Sequence, residues 1–486
     1  MAARSLKSAT ISSLFWKLFE QGGNALITLV VEIVLARLLA PSMFGALAIM
    51  LVFVNVGNVI VQSGLNTAII QAPDATERDY STVFWMSFVI SVALYIIVFL
   101  AAGFIADFYQ MPAIVWPMRV LMLVLVVNSY NSIQQAIIAR ALEFHKTFRA
   151  TVISSLVSGV IGIIMAIVGF GLWALVAQQL LMQVVRCIAL AAQISWKPHF
   201  IFDKDRGIVL FRFGWKLLVS GLMDQGSMGL SDLIIGGLFT SADLGYVSQG
   251  KKYPRALGIM LDGAIQPVML SAVAHIQDDT AKVKLLARRG LKTSTFLVTP
   301  FMALFFVTAT PVVTLLLGEK WLPSVIFLQM YCIVYSFLPI HTTNLQIING
   351  MGRSDVFLKL EIVKTVLDLV VLLFTAFVMQ SLTAIVAGYI ITGLGCTFIN
   401  AFPNKRIIGY SYWEQIRDIC PAYLLSVLAG AIAWPIAWLA LPPIATILIQ
   451  AAIMVVVYLG AARLFKVEAS TYLWKTLREI IGRKLS

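Results

Sequence analysis

Charge is scarce in this chain. Asp, Glu, Lys and Arg make up only 12% of its 486 residues, while 60% are hydrophobic, and mean hydropathy is +0.91. An ordinary soluble domain carries about 25% charged residues, so a water-soluble globular protein is excluded. Histidine is nearly absent too. His145, His199, His275 and His341 stand far apart, and the first three fall in or beside basic loops, which argues against a metal site. The four cysteines, Cys187, Cys332, Cys396 and Cys420, sit in or beside apolar segments and read as small core residues, not a disulfide set. Strict apolar–polar alternation is missing; the apolar runs last about 20 residues, which excludes an outer-membrane barrel. Lys17 and Glu20 interrupt the first apolar run and no small-residue cleavage site follows, so no cleavable leader is expected. No Ser, Cys and His arrangement supports nucleophilic catalysis. Gly245-Tyr-Val-Ser-Gln-Gly250-Lys251-Lys252 imitates a phosphate-binding loop, but Lys stands where Ser or Thr must hold magnesium and no strand precedes it. No cofactor is expected.

What is there is an all-α polytopic membrane protein. About 14 transmembrane helices are readable, near residues 11–38, 44–70, 81–106, 114–138, 149–169, 172–194, 211–238, 244–274, 291–317, 323–349, 356–379, 382–402, 419–441 and 444–465. Connections are short. The expected division is an N-terminal lobe of spans one to six (1–194), a cytoplasmic linker (195–210), a C-terminal lobe of spans seven to twelve (211–402), a cytoplasmic loop (403–418), spans thirteen and fourteen (419–465), and a tail (466–486). The tail places Leu473, Trp474, Leu477, Ile480 and Ile481 among basic residues, as an amphipathic surface helix would. A frayed polar tail is the other reading.

The two lobes are related. Trp16-Lys17-Leu18 is echoed by Trp215-Lys216-Leu217, and the segment Arg37–Gly45 by Gly237–Gly245. The first helix carries Lys17, Gln21, Asn24 and Thr28 on one face, with Glu20 at its edge; span seven carries Lys216, Ser220, Asp224, Ser227 and Ser231. Such internal repeats are frequent in secondary transporters.

The net charge of +13 follows from topology. With the N-terminus in the cytoplasm, 26 of the 36 Lys and Arg fall in inner loops and termini, while Arg37 and Lys320 alone fall outside. Both termini are therefore expected in the cytoplasm, and the charge implies no nucleic-acid partner.

Charges inside spans are costly, about 2.5–3.5 kcal/mol each at the bilayer centre, so their positions carry the functional signal. Span two has Asn55, Asn58, Gln62 and Asn66 at helical spacing. Span eight has Ser248, Lys252, Arg255, Asp262 and Gln266 on one face. Span eleven has Glu361, Lys364 and Asp368. One reading is a water-filled cavity between the lobes, lined by spans one, two, seven and eight, with cationic groups drawing in an anionic head group. The other is structural: Glu361 and Lys364 as an internal pair, the amides of span two as packing glue, and Arg119 and Arg186 snorkelling to the surfaces.

Four segments carry a family resemblance. The opening Arg37-Leu-Leu-Ala-Pro-Ser-Met-Phe-Gly45 resembles an R-x-L-x-P-x-x-F-G motif. Gln62-Ser-Gly-Leu-Asn-Thr-Ala-Ile-Ile-Gln71 resembles a second-span signature, Leu315-Leu-Leu-Gly-Glu-Lys-Trp-Leu-Pro323 an LLG-x-x-W turn, and Asn349-Gly-Met-Gly-Arg353 a G-x-G-R turn. Together they are similar to the polysaccharide transporter branch, the Wzx-type flippases, of the multidrug/oligosaccharidyl-lipid/polysaccharide exporter superfamily. The resemblance implies a bacterial inner-membrane flippase. It would move undecaprenyl-diphosphate-linked oligosaccharide outward for exopolysaccharide, capsule or lipopolysaccharide O-antigen assembly, by alternating access and with H+ or Na+ as the coupling ion. Its partners would be the lipid-linked oligosaccharide, membrane lipids, a polysaccharide polymerase and a chain-length regulator. On that expectation Lys17, Lys216, Lys252 and Arg255 bind substrate, Glu20, Asp224, Asp262 and Asp368 are coupling-ion candidates, and Asn24, Asn55, Asn58, Gln62 and Lys364 line the cavity.

Rival readings are a cation-coupled multidrug exporter of the same superfamily, a polysaccharide polymerase or ligase, and a purely structural membrane protein. An exporter would have an acidic, aromatic cavity, against the cationic stripe of span eight. A polymerase or ligase would have a large outer loop, and none is present.

Overall fold

The computed structural model describes residues 27–474 except 63 and 73, with the side chains of 213, 224, 264 and 267 also left aside. Lys17, Glu20 and Asn24 therefore lie outside the described residues, as does most of the C-terminal tail.

The chain is a succession of helices joined by tight turns: α1 (described over 27–38), α2 (Pro41–Gln62), α3 (Leu65–Gln71), α4 (Glu77–Phe108), α5 (Val115–Leu121), α6 (Leu123–Ala141), α7 (Phe144–Ile167), α8 (Leu172–Ala191), α9 (Lys204–Leu238) and α10 (Ser241–His275). Then follow α11 (Thr280–Val307), α12 (Ala309–Leu316), α13 (Val325–Ser336), α14 (Leu338–Gly350), α15 (Ser354–Leu373), α16 (Leu382–Ala401), α17 (Asn404–Ile408), α18 (Tyr412–Ala433), α19 (Pro443–Leu464) and α20 (described over 468–474). The ends follow local chemistry. Thr76 and Asp79 form a capping box at the start of α4, and Ser411 and Glu414 do the same for α18. Gly64, Gly318 and Gly409 take the left-handed or extended positive-φ conformations that turns between helices require.

Eleven segments among the described residues are long and apolar enough to cross a membrane. They coincide with eleven of the fourteen expected spans. The other three are the first span, most of which lies outside the described residues, and α9 and α15, whose charged and polar residues interrupt the apolar run. On α4, Val89, Ile97, Leu100, Phe104 and Phe108 are all more than half exposed along one face, an outward apolar surface suited to lipid.

The chain divides into two compact units, Met1–Gly245 and Tyr246–Ser486. In the first, a core of Leu65, Ile69, Val83, Phe84, Ile133, Trp196 and Leu210 joins α3, α4, α6 and the segment entering α9. The repeat pattern assigns α9 to the second half, yet it packs on α2, α3 and α4 within the first unit. Glycines make this possible. A Cβ on Gly221, Gly229 or Gly236 would come within 3.0, 2.5 or 2.8 Å of Val59, Val52 or Ile49, so one glycine-bearing face of α9 seats the side chains of α2.

The segment 195–203 is stitched to the same unit. Trp196 stacks on Tyr130. The His199 carbonyl accepts a bond from Trp85 Nε1 at 2.8 Å, the His199 N–H donates to Ser81 Oγ, and the Asp203 N–H donates to Thr82 Oγ1 at 3.0 Å. Arg206 then reaches Asp79 at 2.9 Å and Asp74 at 3.1 Å. Its bonds to Asp79 and Asp74 hold the Arg206 guanidinium above its ordinary range.

In the second unit one core gathers Val273, Val283, Leu291, Phe337, Ile347 and Tyr410. Another gathers Phe296, Leu425, Ala429, Met454 and Tyr458 around α11, α18 and α19.

Candidate functional site

Polar groups within the apolar helices of each unit form clusters among the described residues.

In the first unit, α2 and α6 are joined by a chain of amides. Asn128 Nδ2 donates to Asn58 Oδ1 at 2.9 Å, and Asn131 Nδ2 donates to Asn128 Oδ1 at 3.2 Å and to the Gln183 carbonyl of α8 at 3.2 Å. Gln134 continues the row, donating to the Cys187 carbonyl. Asn58 is thus an interhelical tie. Asn55 and Gln62, one turn to either side, are exposed. The partners Asn128, Asn131 and Gln134 escape the sequence reading, although their i, i+3, i+6 spacing in an apolar run was visible. Lys216 is exposed on α9; the side chain of Asp224 lies outside the described set.

The second unit holds the denser cluster, built by α10, α14, α15 and α16. Asp262 of α10 accepts a 2.7 Å bond from the Thr342 hydroxyl of α14 through Oδ2. Its Oδ1 is buried and has no hydrogen-bond partner among the described residues. A carboxylate left so in an apolar bundle calls for a proton or a cation. The residue preceding Thr342, His341, brings Nδ1 to 3.1 Å from Asn400 Nδ2 of α16. On α15, Lys364 Nζ meets Glu361 Oε1 at 2.6 Å, one turn apart, and the ammonium also neighbours Asp368 and His341. Asp368 lies near the Thr392 hydroxyl of α16, which itself reaches the Tyr389 carbonyl. Lys252 and Arg255 stand half-buried on α10, each engaged by other protein groups.

Deeper still, Asn344 and Gln415 form a reciprocal amide pair at 2.8 and 3.0 Å, and Asn404 Nδ2 adds a bond to Asn344 Oδ1 at 2.7 Å. All three are almost wholly buried, and their mutual bonds offset much of the penalty of placing amides in a core, although Asn404 Oδ1 has no partner among the described residues. Three elements, α14, α17 and α18, are pinned together here. These residues are scattered over 70 positions of sequence, and no local spacing announces them.

At one end of α11, Asp418 of α18 is the hub of an ionic cluster. Arg288 binds it bidentately at 2.7 and 2.8 Å, Lys292 at 3.1 Å, and the Tyr410 hydroxyl at 2.8 Å. Lys292 also holds Glu468 at 2.6 Å, and Lys284 holds Glu414 at 2.9 Å. Among the described residues no three His, Cys, Asp or Glu side chains come together as a metal site would need.

Stacked apolar helices with internal amides, carboxylates and ammonium groups define a polytopic membrane protein of the transporter type. Its fold is that of a structure of the lipid II flippase MurJ, with a TM-score of 0.76 over 94% of this chain and 98% of that one, at 12% identity. An inward-facing multidrug resistance MATE family transporter of the MOP superfamily gives 0.61 over 79% and 94% at 16% identity. The family described as "Polysaccharide biosynthesis protein" matches residues 34–326, and the chain belongs to it. Among curated proteins it is similar to the lipopolysaccharide biosynthesis protein WzxC of Escherichia coli, at 23% identity over 87% of this chain and 86% of that one. It is also similar to the succinoglycan biosynthesis transport protein ExoT of Rhizobium meliloti, at 22% over 72% and 71%.

Proposed function

We propose that the protein is a flippase for undecaprenyl-diphosphate-linked oligosaccharide. It carries repeat units across the bacterial inner membrane for exopolysaccharide, capsule or O-antigen assembly, with both termini in the cytoplasm. The observation that carries the reading is the match along most of the chain to relatives named for polysaccharide biosynthesis and transport, on a fold shared with a lipid II flippase. Physical chemistry supports it. A diphosphate needs cations in a protected place, which Lys17, Lys216, Lys252 and Arg255 would supply, Arg as a planar fork and Lys as a point charge. The lipid tail stays in the bilayer, so the protein need shelter only the head group.

Transport against a gradient needs a coupled ion. Asp262, with one buried oxygen unpartnered, and Asp368, beside Thr392 and Lys364, are the described carboxylates suited to carry H+ or Na+. Glu20 and Asp224 complete the proposed set. Polymerase and chain-length regulator are the partners this reading implies.

Deleting the gene tests the reading. Lipid-linked oligosaccharide accumulates in the inner leaflet and surface polymer is lost, both restored by the intact gene. Normal polymer with altered sensitivity to cationic drugs would instead mark a multidrug exporter. Within the flippase reading, Asp262→Asn lowers polymer export at least tenfold with the protein still in the membrane; full export by that variant removes Asp262 from the coupling set.

A further inference from the structure

Helices α11 and α20 border an open-sided cavity of about 210 Å³. Arg289, Lys292 and Thr293 line it from α11, and Glu468, Thr471 and Tyr472 from α20. Arg289 and Thr293 lie one helical turn apart, with Lys292 between them on the same face.

The charges around it do not cancel. Arg288 and Lys292 are matched by Asp418 and Glu468 in the ionic cluster described above. The Glu468 carboxylate on the wall is thereby neutralised by Lys292. Among the described residues, Arg289 is the surplus cation. It is exposed and makes no hydrogen bond or ion pair with any described residue. The Thr293 hydroxyl next to it is likewise uncommitted, whereas the Thr471 hydroxyl bonds the Val467 carbonyl. A fork of guanidinium donors plus a hydroxyl is chemistry for a phosphate oxygen pair.

Exposed apolar side chains flank the cavity's α20 wall in sequence. Leu464 and Phe465, just before α20, are 76% and 68% exposed, and Trp474 at its described end is 54% exposed. Apolar and tryptophan side chains around a basic pocket belong to the head-group level of a bilayer. We propose that this cavity holds the phosphate of an anionic membrane lipid, with Arg289 as its principal ligand, Thr293 as a second donor, and the acyl chains along the exposed apolar surface before α20. The proposal rests on α11 and α19 spanning the membrane and is independent of what the protein transports.

The test uses the full chain, delipidated in a neutral detergent. Binding of phosphatidylglycerol, cardiolipin, phosphatidylcholine and inorganic phosphate is read by native mass spectrometry, with Tm measured in parallel. Phosphatidylglycerol and cardiolipin bind and raise Tm, and phosphatidylcholine does neither. Arg289→Gln weakens anionic-lipid binding about tenfold while the lipid-free Tm stays unchanged, and Arg289→Lys restores part of it. Equal binding of phosphatidylcholine, unaltered lipid binding by the Gln variant, or a full Tm response to inorganic phosphate alone would each overturn the proposal. Cysteine labelling of sealed cells at position 282 separately reports whether this end of α11 lies in the cytoplasm.

Discussion

Gly45 and Gly245 each press against the other's helix start. A Cβ on Gly45 would stand 1.8 Å from the Ser241 carbonyl oxygen, and one on Gly245 would stand 2.1 Å from the Pro41 carbonyl oxygen. These are equivalent positions of the internal repeat, two hundred residues apart. The duplicated segment has thus become a reciprocal contact, in which each copy supplies one glycine and one carbonyl. Backbone meets backbone here, so no side-chain rotation can make room.

Replacing either glycine by Ala forces the starts of α2 and α10 apart. Each change costs about 1–3 kcal/mol. Because both act on one contact, the double variant costs less than the sum of the singles. Thermal unfolding in detergent measures the costs, and strict additivity would show that the two positions do not share a contact.

Asp418 is 4% exposed and serves Arg288, Lys292 and Tyr410 at once. Asp418→Asn leaves those donors facing one another across α11 and α18. The expected loss is about 2–3 kcal/mol, with a matching fall in Tm. Glu414→Gln, at an exposed pair, changes stability by less than about 1 kcal/mol. Equal effects of the two variants would contradict the central place given to Asp418.

The Glu361–Lys364 contact at 2.6 Å supports a structural pairing on α15. Lys364→Met alone leaves Glu361 uncompensated and lowers the amount of folded protein. Adding Glu361→Gln recovers most of it. Polymer export that stays lost in the fully folded double variant would instead give Lys364 a part in transport.

Arg206→Gln removes the ion pairs that help hold the segment 195–203 on α4. Asp79, 4% exposed, keeps only Thr76 and its own helix. Proteolysis between 197 and 204 accelerates about tenfold, while cleavage elsewhere is unaffected. An unchanged cleavage rate would mean that the aromatic and backbone contacts hold the segment without the ion pairs.

Most of the fold was legible because long apolar runs have few alternatives in a membrane. Hydropathy placed its expected spans where helices stand, α9 and α15 included. The packing of α9 was not legible. Its similarity to the first helix concerns sequence ancestry, whereas its neighbours are chosen by Gly221, Gly229 and Gly236, which read in sequence only as scattered small residues. The site was legible in part. Asp262, Lys364 and Asp368 stood out as charges in apolar helices. Thr342, His341, Asn400 and Asn344 did not, because a neutral polar residue in a span gains meaning only from what lies across from it.

The stitched segment 195–203 has a consequence for dividing the gene. A cut there, at the seam between the two copies, would produce a first fragment that ends without α9. The valines and isoleucine of α2 that α9 covers would then meet lipid or solvent unshielded, and α9 would be made on the other fragment, apart from its seat. A cut at Phe239–Thr240 keeps helix and seat on one polypeptide. For two-fragment expression, reporter insertion or circular permutation, the useful seam is the turn after α9, some forty residues beyond the one that ancestry suggests.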